Sequence, residues 1–367
     1  MNVKSWIVAP LIVGAALLGA CSDGTGTSEA VQKQDPLVMR LVEMGFPRDQ
    51  IVDAGDHFVV EGDIRFDKKA LAAASRTSRP AGVRGQRVLS TISSTRRTVR
   101  VNLSAVANEN ASWASATRAA MSNWNAVPGA DITLVEASPA DVTVAFDNDA
   151  NFSSACTAAQ GAFPLSGAPG TVVRINRLYT PSYSSAQQVW IMTHELGHNL
   201  GLGHTNSGDG SLITGTPSSD AASVMNSGAA YPGCPPSAPA WSSLSSNDEK
   251  ALRVLYPLPV PGALSAGNSG GQVLLSWSAV SGASYYEYQR YEYTQNGPSG
   301  AASAASGWEP VYATSVNTQF DYTGVSYCHY DEATYAIDSW FSWQVRAVFP
   351  NGKRSDWSGT DSKAASC

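Results

Sequence analysis

Three of the chain's five histidines fall within eleven positions, in the segment HELGHNLGLGH at residues 194–204. On a helix, residues four apart lie one above the other on the same face, so His194 and His198 would present two imidazoles to one point. Gly201 would end this helix, because glycine readily adopts the left-handed turn that lets the chain reverse. The reversal would bring His204 to the same point, and this convergence limits how the surrounding chain can fold.

This spacing predicts a metal centre. Three imidazoles and a water form an open tetrahedral site, which is the arrangement of catalytic rather than structural zinc. Glu195, beside the first histidine, would reach that water. From average residue usage, three histidines, one glutamate and one glycine at these positions would match by chance on the order of once in 10⁵ sequences. We therefore expect one zinc ion on His194, His198 and His204 rather than a coincidence.

The pattern H-E-x-x-H-x-x-G-x-x-H resembles the signature of the metzincin metallopeptidases, and this segment is most similar to their matrixin and HEIGH-type bacterial branches. These families place a methionine on a tight turn under the zinc ligands, and ASVMNSG resembles that turn, with Met225 as its methionine. The resemblance covers roughly residues 96–257. Several branches carry a tyrosine two residues after the methionine, whereas this chain has Ser227 there and Tyr231 nearby as an alternative.

The resemblance also implies a mechanism. Zinc would lower the pKa of its water and polarise the scissile carbonyl. Glu195 would act as the general base, taking the proton of the water and delivering it to the leaving amine. Peptide bonds would then be hydrolysed without a covalent intermediate, so no serine or cysteine nucleophile is needed.

The 367 residues suit two or three domains. We divide the chain into an export signal (1–21), a tether with a propeptide-like segment (22–95), a peptidase domain (96–257) and a C-terminal domain (258–367). For the peptidase domain the metzincin resemblance implies an α+β fold, with a twisted mixed sheet and the active-site helix. RTVRVNLS, DVTVAFD and GTVVRINRL predict strands there, and NASWASATRAAMSNWNAV has apolar residues at helical spacing. The GAFPLSGAPGTVVRIN region resembles the edge strand that aligns a substrate by β-addition.

The C-terminal segment alternates as strands do and has no helical period, for example at Val273, Leu275 and Trp277. VLLSWSAVSGASYYEYQR and FSWQVRAVFPNGKRSDWSG resemble the fibronectin type III family, which implies an all-β sandwich of about one hundred residues. The tyrosine-rich run from Tyr285 to Tyr293 has two interpretations. It alternates between the core and the surface of the sandwich, or it forms a face that binds protein or carbohydrate.

The N-terminus predicts export. Lys4 is followed by the apolar run WIVAPLIVGAALLGA and then Cys21, which is the pattern of a secretory signal. LGAC resembles a bacterial lipobox, which implies that Cys21 becomes a lipid-modified first residue and anchors the protein to a membrane. Ser22 then implies the outer membrane or cell surface, and simple secretion is the alternative. The net charge of -6 argues against a nucleic-acid partner.

The other four cysteines predict disulfides, since an even number in an exported chain is typical of a disulfide framework. Four cysteines allow three pairings, and none of the four has the spacing of metal ligands. The simplest pairing keeps each bridge inside one domain, as Cys156–Cys234 and Cys328–Cys367.

The stretch FVVEGDIRF resembles the F-x-G-D segment of astacin propeptides, in which an aspartate occupies the position of the zinc-bound water. The match assigns that role to Asp63 and implies activation by cleavage between Arg76 and Arg87, which would also release the enzyme from its lipid anchor. The alternative is an ordinary turn between two strands. No cysteine lies between Cys21 and Cys156, so a cysteine switch from this segment is excluded.

These observations predict a secreted or surface-anchored zinc endopeptidase that acts on protein or peptide substrates. The alternative is a catalytically weak adhesion or binding protein on a metzincin scaffold, but the complete ligand set with Glu195 favours the enzyme. A zinc hydrolase with another substrate is a third interpretation. FDNDANF and NSGDGS offer oxygen ligands for structural Ca²⁺, or they are simple turns.

Overall fold

The computed structural model of this protein describes the following residues: 35–74, 87–88, 90–152, 157–207, 210–227, 238–269, 272–296, 302–321, 329–331 and 335–364. All of these residues except Asp35 lie in the larger of the two units into which the chain divides, Pro36–Cys367. Within the described ranges, no helix is both long enough and apolar enough to cross a membrane. Several predicted features lie outside these ranges, namely the export signal, Tyr231, Cys21, Cys156, Cys234, Cys328 and Cys367.

The first part of the larger unit is a helix followed by a three-stranded antiparallel meander and a short helix. The elements are α1 (Pro36–Met44), β1 (Ile51–Asp53), β2 (His57–Val60), β3 (Ile64–Asp67) and α2 (Lys68–Ala73). Leu41, Phe46, Phe58 and Phe66 are fully buried and pack with Phe163 from the following segment. These aromatic contacts join the N-terminal part of the chain to the part that carries the histidines.

The second part contains the predicted helices and strands. In chain order they are β4 (Arg87–Val88), β5 (Thr98–Asn102), α3 (Ser104–Glu109), α4 (Ala111–Asn125), β6 (Thr133–Glu136), β7 (Val142–Asp147), β8 (Ala159–Ala162), β9 (Val172–Asn176), α5 (Ser185–Asn199), β10 (Leu202–Gly203), β11 (Ser211–Leu212) and α6 (Ser246–Leu255). The side chain of Asn110 caps α4. Trp113, Ala116, Ala120 and Trp124 of α4 are buried, as their helical spacing predicted.

One eight-stranded sheet joins both parts, in the order β1-β2-β3-β8-β9-β7-β5-β6. Strand β5 is parallel to β6 and β7, and β7 is parallel to β9, whereas β8 is antiparallel to β9. The prediction of a mixed sheet with helices is therefore confirmed. Three strands of this sheet come from the segment before residue 96, and β3 enters it by parallel pairing with β8.

The described residues of the C-terminal segment form only strands, and every pairing among them is antiparallel. The strands are β12 (Ser265–Ser269), β13 (Gln272–Ser276), β14 (Tyr285–Asn296), β15 (Ala302–Trp308), β16 (Tyr312–Thr314), β17 (Thr318–Asp321), β18 (His329–Asp331), β19 (Tyr335–Val348) and β20 (Asp361–Ala364). One sheet has the order β12-β13-β17, and the other is built on β15-β14-β19-β18. Buried side chains of both sheets, such as Leu275 and Trp343, share one core. The prediction of an all-β domain is confirmed at this level.

Tyr256, directly after α6, connects three parts of the chain that are distant in the sequence. Its hydroxyl donates a hydrogen bond to the Leu200 carbonyl and accepts one from the Ile92 amide at 3.2 Å. The Arg97 guanidinium lies 4.4 Å from the centre of the ring, and the side chain is fully buried. The end of α5 is thus anchored to elements that are distant in the sequence.

We expect Tyr256→Phe to destabilise the protein by about 1–3 kcal/mol, because the buried Ile92 amide and Leu200 carbonyl would both lose this partner. The midpoint of thermal denaturation should fall. Tyr312→Phe is the matched control, since the side chain of Tyr312 is 46% exposed and its loss should leave the midpoint in place. Equal midpoints for both variants would show that the Tyr256 hydroxyl does not stabilise the fold.

Candidate metal centre

Helix α5 presents two of the three clustered histidines, and local sequence determines both of its ends. The Ser184 side chain accepts a hydrogen bond from the Gln187 amide, and the Gln187 side chain accepts one from the Ser184 amide, which forms a capping box. Gly201 has a φ of 92°, the left-handed conformation that the sequence predicted. A Cβ atom on Gly201 would also overlap the carbonyl oxygen of Ser90. Glycine is therefore required here by both conformation and packing.

The three histidines turn their Nε2 atoms towards one another. The Nε2 atom of His194 lies 3.0 Å from that of His198 and 3.3 Å from that of His204. All three side chains are buried. Around a tetrahedral zinc with Zn–N bonds of 2.0–2.1 Å, neighbouring nitrogens lie about 3.3 Å apart. The spacing of these nitrogens fits a single zinc ion held by the three imidazoles.

The outer nitrogens of the two helical histidines face backbone carbonyls. His194 Nδ1 lies 2.7 Å from the Val224 oxygen, and His198 Nδ1 lies 2.8 Å from the Leu202 oxygen. A proton on Nδ1 that is donated to such an acceptor leaves Nε2 free to bind a metal. Both rings are therefore oriented by the backbone of the peptidase segment itself.

Met225 lies against the same helix, next to the histidines. A Cβ atom on Gly197 would overlap the Met225 sulfur, so only glycine permits this close packing. Asp248 of α6 fixes the turn that carries the methionine, because its carboxylate accepts hydrogen bonds from the Val224 amide at 3.0 Å and the Ser223 hydroxyl at 2.6 Å. Asp248 was not singled out in the sequence, although it occupies the third position of a capping box in α6.

The turn between β2 and β3 covers the metal-facing nitrogens. The Asp63 carboxylate lies 3.1 Å from His204 Nε2 and 3.5 Å from His194 Nε2. On the opposite side of the same ring, Glu61 Oε2 lies 2.6 Å from His204 Nδ1. The ligand atoms of Asp63 and the three histidines all lie within 4.8 Å of one another. The centre therefore has four possible ligands, and the N-terminal segment contributes one of them.

Burial and mutual proximity shift the pKa values of this group. Burial and the neighbouring Asp63 carboxylate raise the pKa of Glu195 well above its ordinary value. Burial opposes the charged form of His204, but Asp63 and Glu61 outweigh it and raise the pKa of this histidine well above its ordinary value. Burial and the other two histidines lower the pKa of His198. The turn thus brings negative charge to a site that is built to hold positive charge.

Strand β8 leads into the region that resembles a substrate-aligning edge strand, and β3 covers its free edge. Ile64 pairs with Gly161 and Arg65 with Ala162 in a parallel register. The Gly161 amide also donates a hydrogen bond to the Asp63 carbonyl at 3.1 Å. The N-terminal segment therefore occupies both the metal-facing space and the strand edge beside it.

Side-chain oxygens of the oxygen-rich stretch FDNDANF accept hydrogen bonds from residues at the end of β9. Asn176 donates to the Asp149 carboxylate at 2.7 Å, and Arg177 donates to the Asn148 side-chain oxygen at 2.6 Å. Ser227, two residues after Met225, donates its backbone amide to the Asn206 side chain at 2.8 Å. The calcium site in FDNDANF and NSGDGS stays a prediction.

Comparison with known proteins places the chain within a family. The model of the dual-action HEIGH metallopeptidases matches residues 59–247, just over half of the chain, and the match includes the turn with Glu61 and Asp63. A search of the curated proteins found no match.

Several solved structures are similar to parts of the chain. An Fn3-like protein from Clostridium thermocellum is 24% identical over 28% of this chain and 88% of that one, with a TM-score of 0.17. A protein described as FN3tt mut is 16% identical over 29% of this chain and 97% of that one, with a TM-score of 0.18. Myroilysin is 16% identical over 47% of this chain and 98% of that one, with a TM-score of 0.32.

We expect Gly161→Ala to disturb the centre, because the new Cβ atom would lie 2.6 Å from the Glu195 carbonyl oxygen and 3.0 Å from its carboxylate. Overpacking of this kind costs about 1–3 kcal/mol. Bound zinc per chain and the thermal midpoint should both fall. Gly262→Ala is the control, since nothing lies within 4 Å of its added Cβ atom. Full zinc binding and an unchanged midpoint in Gly161→Ala would contradict the tight contact.

Proposed function

The chain belongs to the dual-action HEIGH metallopeptidase family, and on that premise we propose that it is a zinc-dependent endopeptidase that is exported and made in a latent form. The observation that carries the proposal is the buried cluster of three histidines whose metal-facing nitrogens converge, with a buried glutamate next to the first of them. Its substrates are proteins or peptides.

His194, His198 and His204 would hold the zinc ion. The ion supplies a Lewis acid for the scissile carbonyl and lowers the pKa of a bound water. Glu195 would act as the general base, with its carboxylate accepting a proton from the attacking water and delivering it to the leaving amine.

We infer that the arrangement described above is the latent one. Asp63 faces the metal-facing nitrogens on the side where a water would approach, and β3 covers the edge of β8 where a substrate strand would add. Cleavage in the region from Arg76 to Arg87 would cut the chain between this blocking segment and the histidines. Strand β4, at the end of that region, pairs with β10 and β11 and would stay with the peptidase domain.

The proposal also covers export through the N-terminal sequence and binding by the C-terminal domain. The N-terminal sequence, with Lys4, the apolar run and Cys21, supports export as a lipoprotein that is anchored to the outer membrane or cell surface and released by processing.

Trp308 and Tyr312 of the C-terminal domain are 39% and 46% exposed, which supports a role for this domain in binding protein or carbohydrate.

We expect Glu195→Ala to lower casein hydrolysis by about 10²–10⁴-fold, since the general base would be absent, while one zinc per chain is retained. Zinc content and turnover should be measured on chains trimmed in the region from Arg76 to Arg87. Zinc binding without proteolysis in the wild type, both intact and after trimming with removal of the cleaved N-terminal segment, would favour the binding protein or a hydrolase with another substrate. No zinc in the wild type would mean that the histidine pattern was misinterpreted.

We expect the uncleaved Asp63→Ala chain to hydrolyse casein faster than the uncleaved wild type, because the carboxylate that faces the zinc position would be gone. Asp49→Ala is the matched control, since this aspartate lies on the surface of the same segment. Its activity should equal that of the wild type. Equal rates for Asp63→Ala and wild type would reject the blocking role of Asp63.

A further inference from the structure

We propose that Glu61 is a positioning residue through which the N-terminal segment holds the third metal ligand, so that the uncleaved chain binds zinc more tightly than it would without this carboxylate. The inference rests on the proposed zinc site, but it concerns the opposite side of the ring from the blocking contact. Asp63 lies against His204 Nε2, whereas Glu61 lies against His204 Nδ1. The same turn therefore contacts both nitrogens of one imidazole.

The three histidines differ in the source of their outer acceptor. For His194 and His198 the acceptors are the carbonyls of Val224 and Leu202, which belong to the peptidase segment. For His204 the Nδ1 atom faces a carboxylate that lies 143 positions earlier in the chain. This ligand alone among the three depends on the N-terminal segment for the contact that orients it.

The surrounding structure holds the Glu61 side chain against the ring of His204. Its side chain is only 4% exposed, and its backbone has a φ of 53°, the left-handed region that is strained for a residue other than glycine. The pairing of Val60 with Ile64 closes the turn, and both of these residues are fully buried. The Glu61 amide also donates to the Gln50 carbonyl at 3.3 Å. The hairpin therefore fixes the carboxylate at the ring in spite of the strain.

The chemistry of the pair favours metal binding. A carboxylate that accepts the Nδ1 proton of a ligating histidine fixes the tautomer and makes Nε2 a stronger donor to the metal. A contact of 2.6 Å to a buried carboxylate is a charge-assisted hydrogen bond, which is stronger than a bond to a neutral carbonyl. Loss of such an outer partner lowers metal affinity by about 10-fold to 100-fold in zinc proteins.

The experiment is a zinc titration of the full-length chain in competition with a chromophoric chelator. We expect Glu61→Gln to weaken zinc binding by about 10-fold to 100-fold, because the amide keeps the shape of the side chain but loses its charge. Glu43→Gln is the matched control, since Glu43 is an exposed glutamate of the same segment, and it should bind zinc as the wild type does.

Glu61→Gly separates positioning from folding. Glycine relieves the strained φ, so the metal-free variant should keep or raise the wild-type thermal midpoint while its zinc affinity still falls. Histidine-selective ¹⁵N NMR of the zinc-loaded chain adds a local readout. In the wild type the proton of His204 should reside on Nδ1 and resonate far downfield, and in both Glu61 variants this signal should shift upfield.

The outcomes separate this inference from the proposed function. The positioning role is wrong if both Glu61 variants bind zinc with the affinity of the wild type and give the same His204 signal as the wild type. The peptidase proposal stands in that case. If the wild type binds no zinc, both proposals fail. Weaker binding in both variants, with the control unchanged and the midpoint of Glu61→Gly maintained, supports the inference.

Discussion

A histidine that binds a metal through one ring nitrogen almost always donates its other N–H to an oxygen acceptor, which fixes the tautomer and the orientation of the ring. In this protein those oxygens come from three separate parts of the chain. The Val224 carbonyl, in a turn that Asp248 fixes, faces Nδ1 of His194. The Leu202 carbonyl, directly after the reversal at the end of α5, faces Nδ1 of His198. The third oxygen is a carboxylate of the N-terminal turn. The metal centre therefore depends on the folding of distant segments onto the helix and not on the helix alone.

The N-terminal turn links the orientation of a metal ligand to the covering of the metal-facing nitrogens. Glu61 and Asp63 are two residues apart in one tight turn, and they contact opposite nitrogens of His204. In the proposed latent form, the same turn would both orient His204 and cover the metal-facing nitrogens. The two proposals together describe a precursor whose N-terminal segment favours zinc binding and blocks the centre until the segment leaves.

The sequence predicted what depends on short spacing and missed what depends on long-range contacts. The convergence of the histidines follows from helical periodicity and one glycine, and the buried face of α4 follows from its apolar spacing. The FVVEGDIRF stretch pointed to Asp63 only through a resemblance. Glu61 carried no signal, because its role depends on the orientation of a ring 143 positions away. The parallel pairing of β3 with β8 was likewise invisible, since parallel strands that are far apart leave no local pattern.

Cleavage in the region from Arg76 to Arg87 would not by itself open the centre. The segment before the cut remains joined to the rest by the pairing of β3 with β8 and by an aromatic core in which Phe66 stacks on Phe163 at 5.8 Å. Phe46 and Phe58 are also fully buried in this core. A separated strand and its aromatic side chains leave only when this contact is broken. If the segment blocks the centre as proposed, exposure of the centre would require dissociation of the segment after the cut, and the apolar contacts around Phe163 would oppose that dissociation.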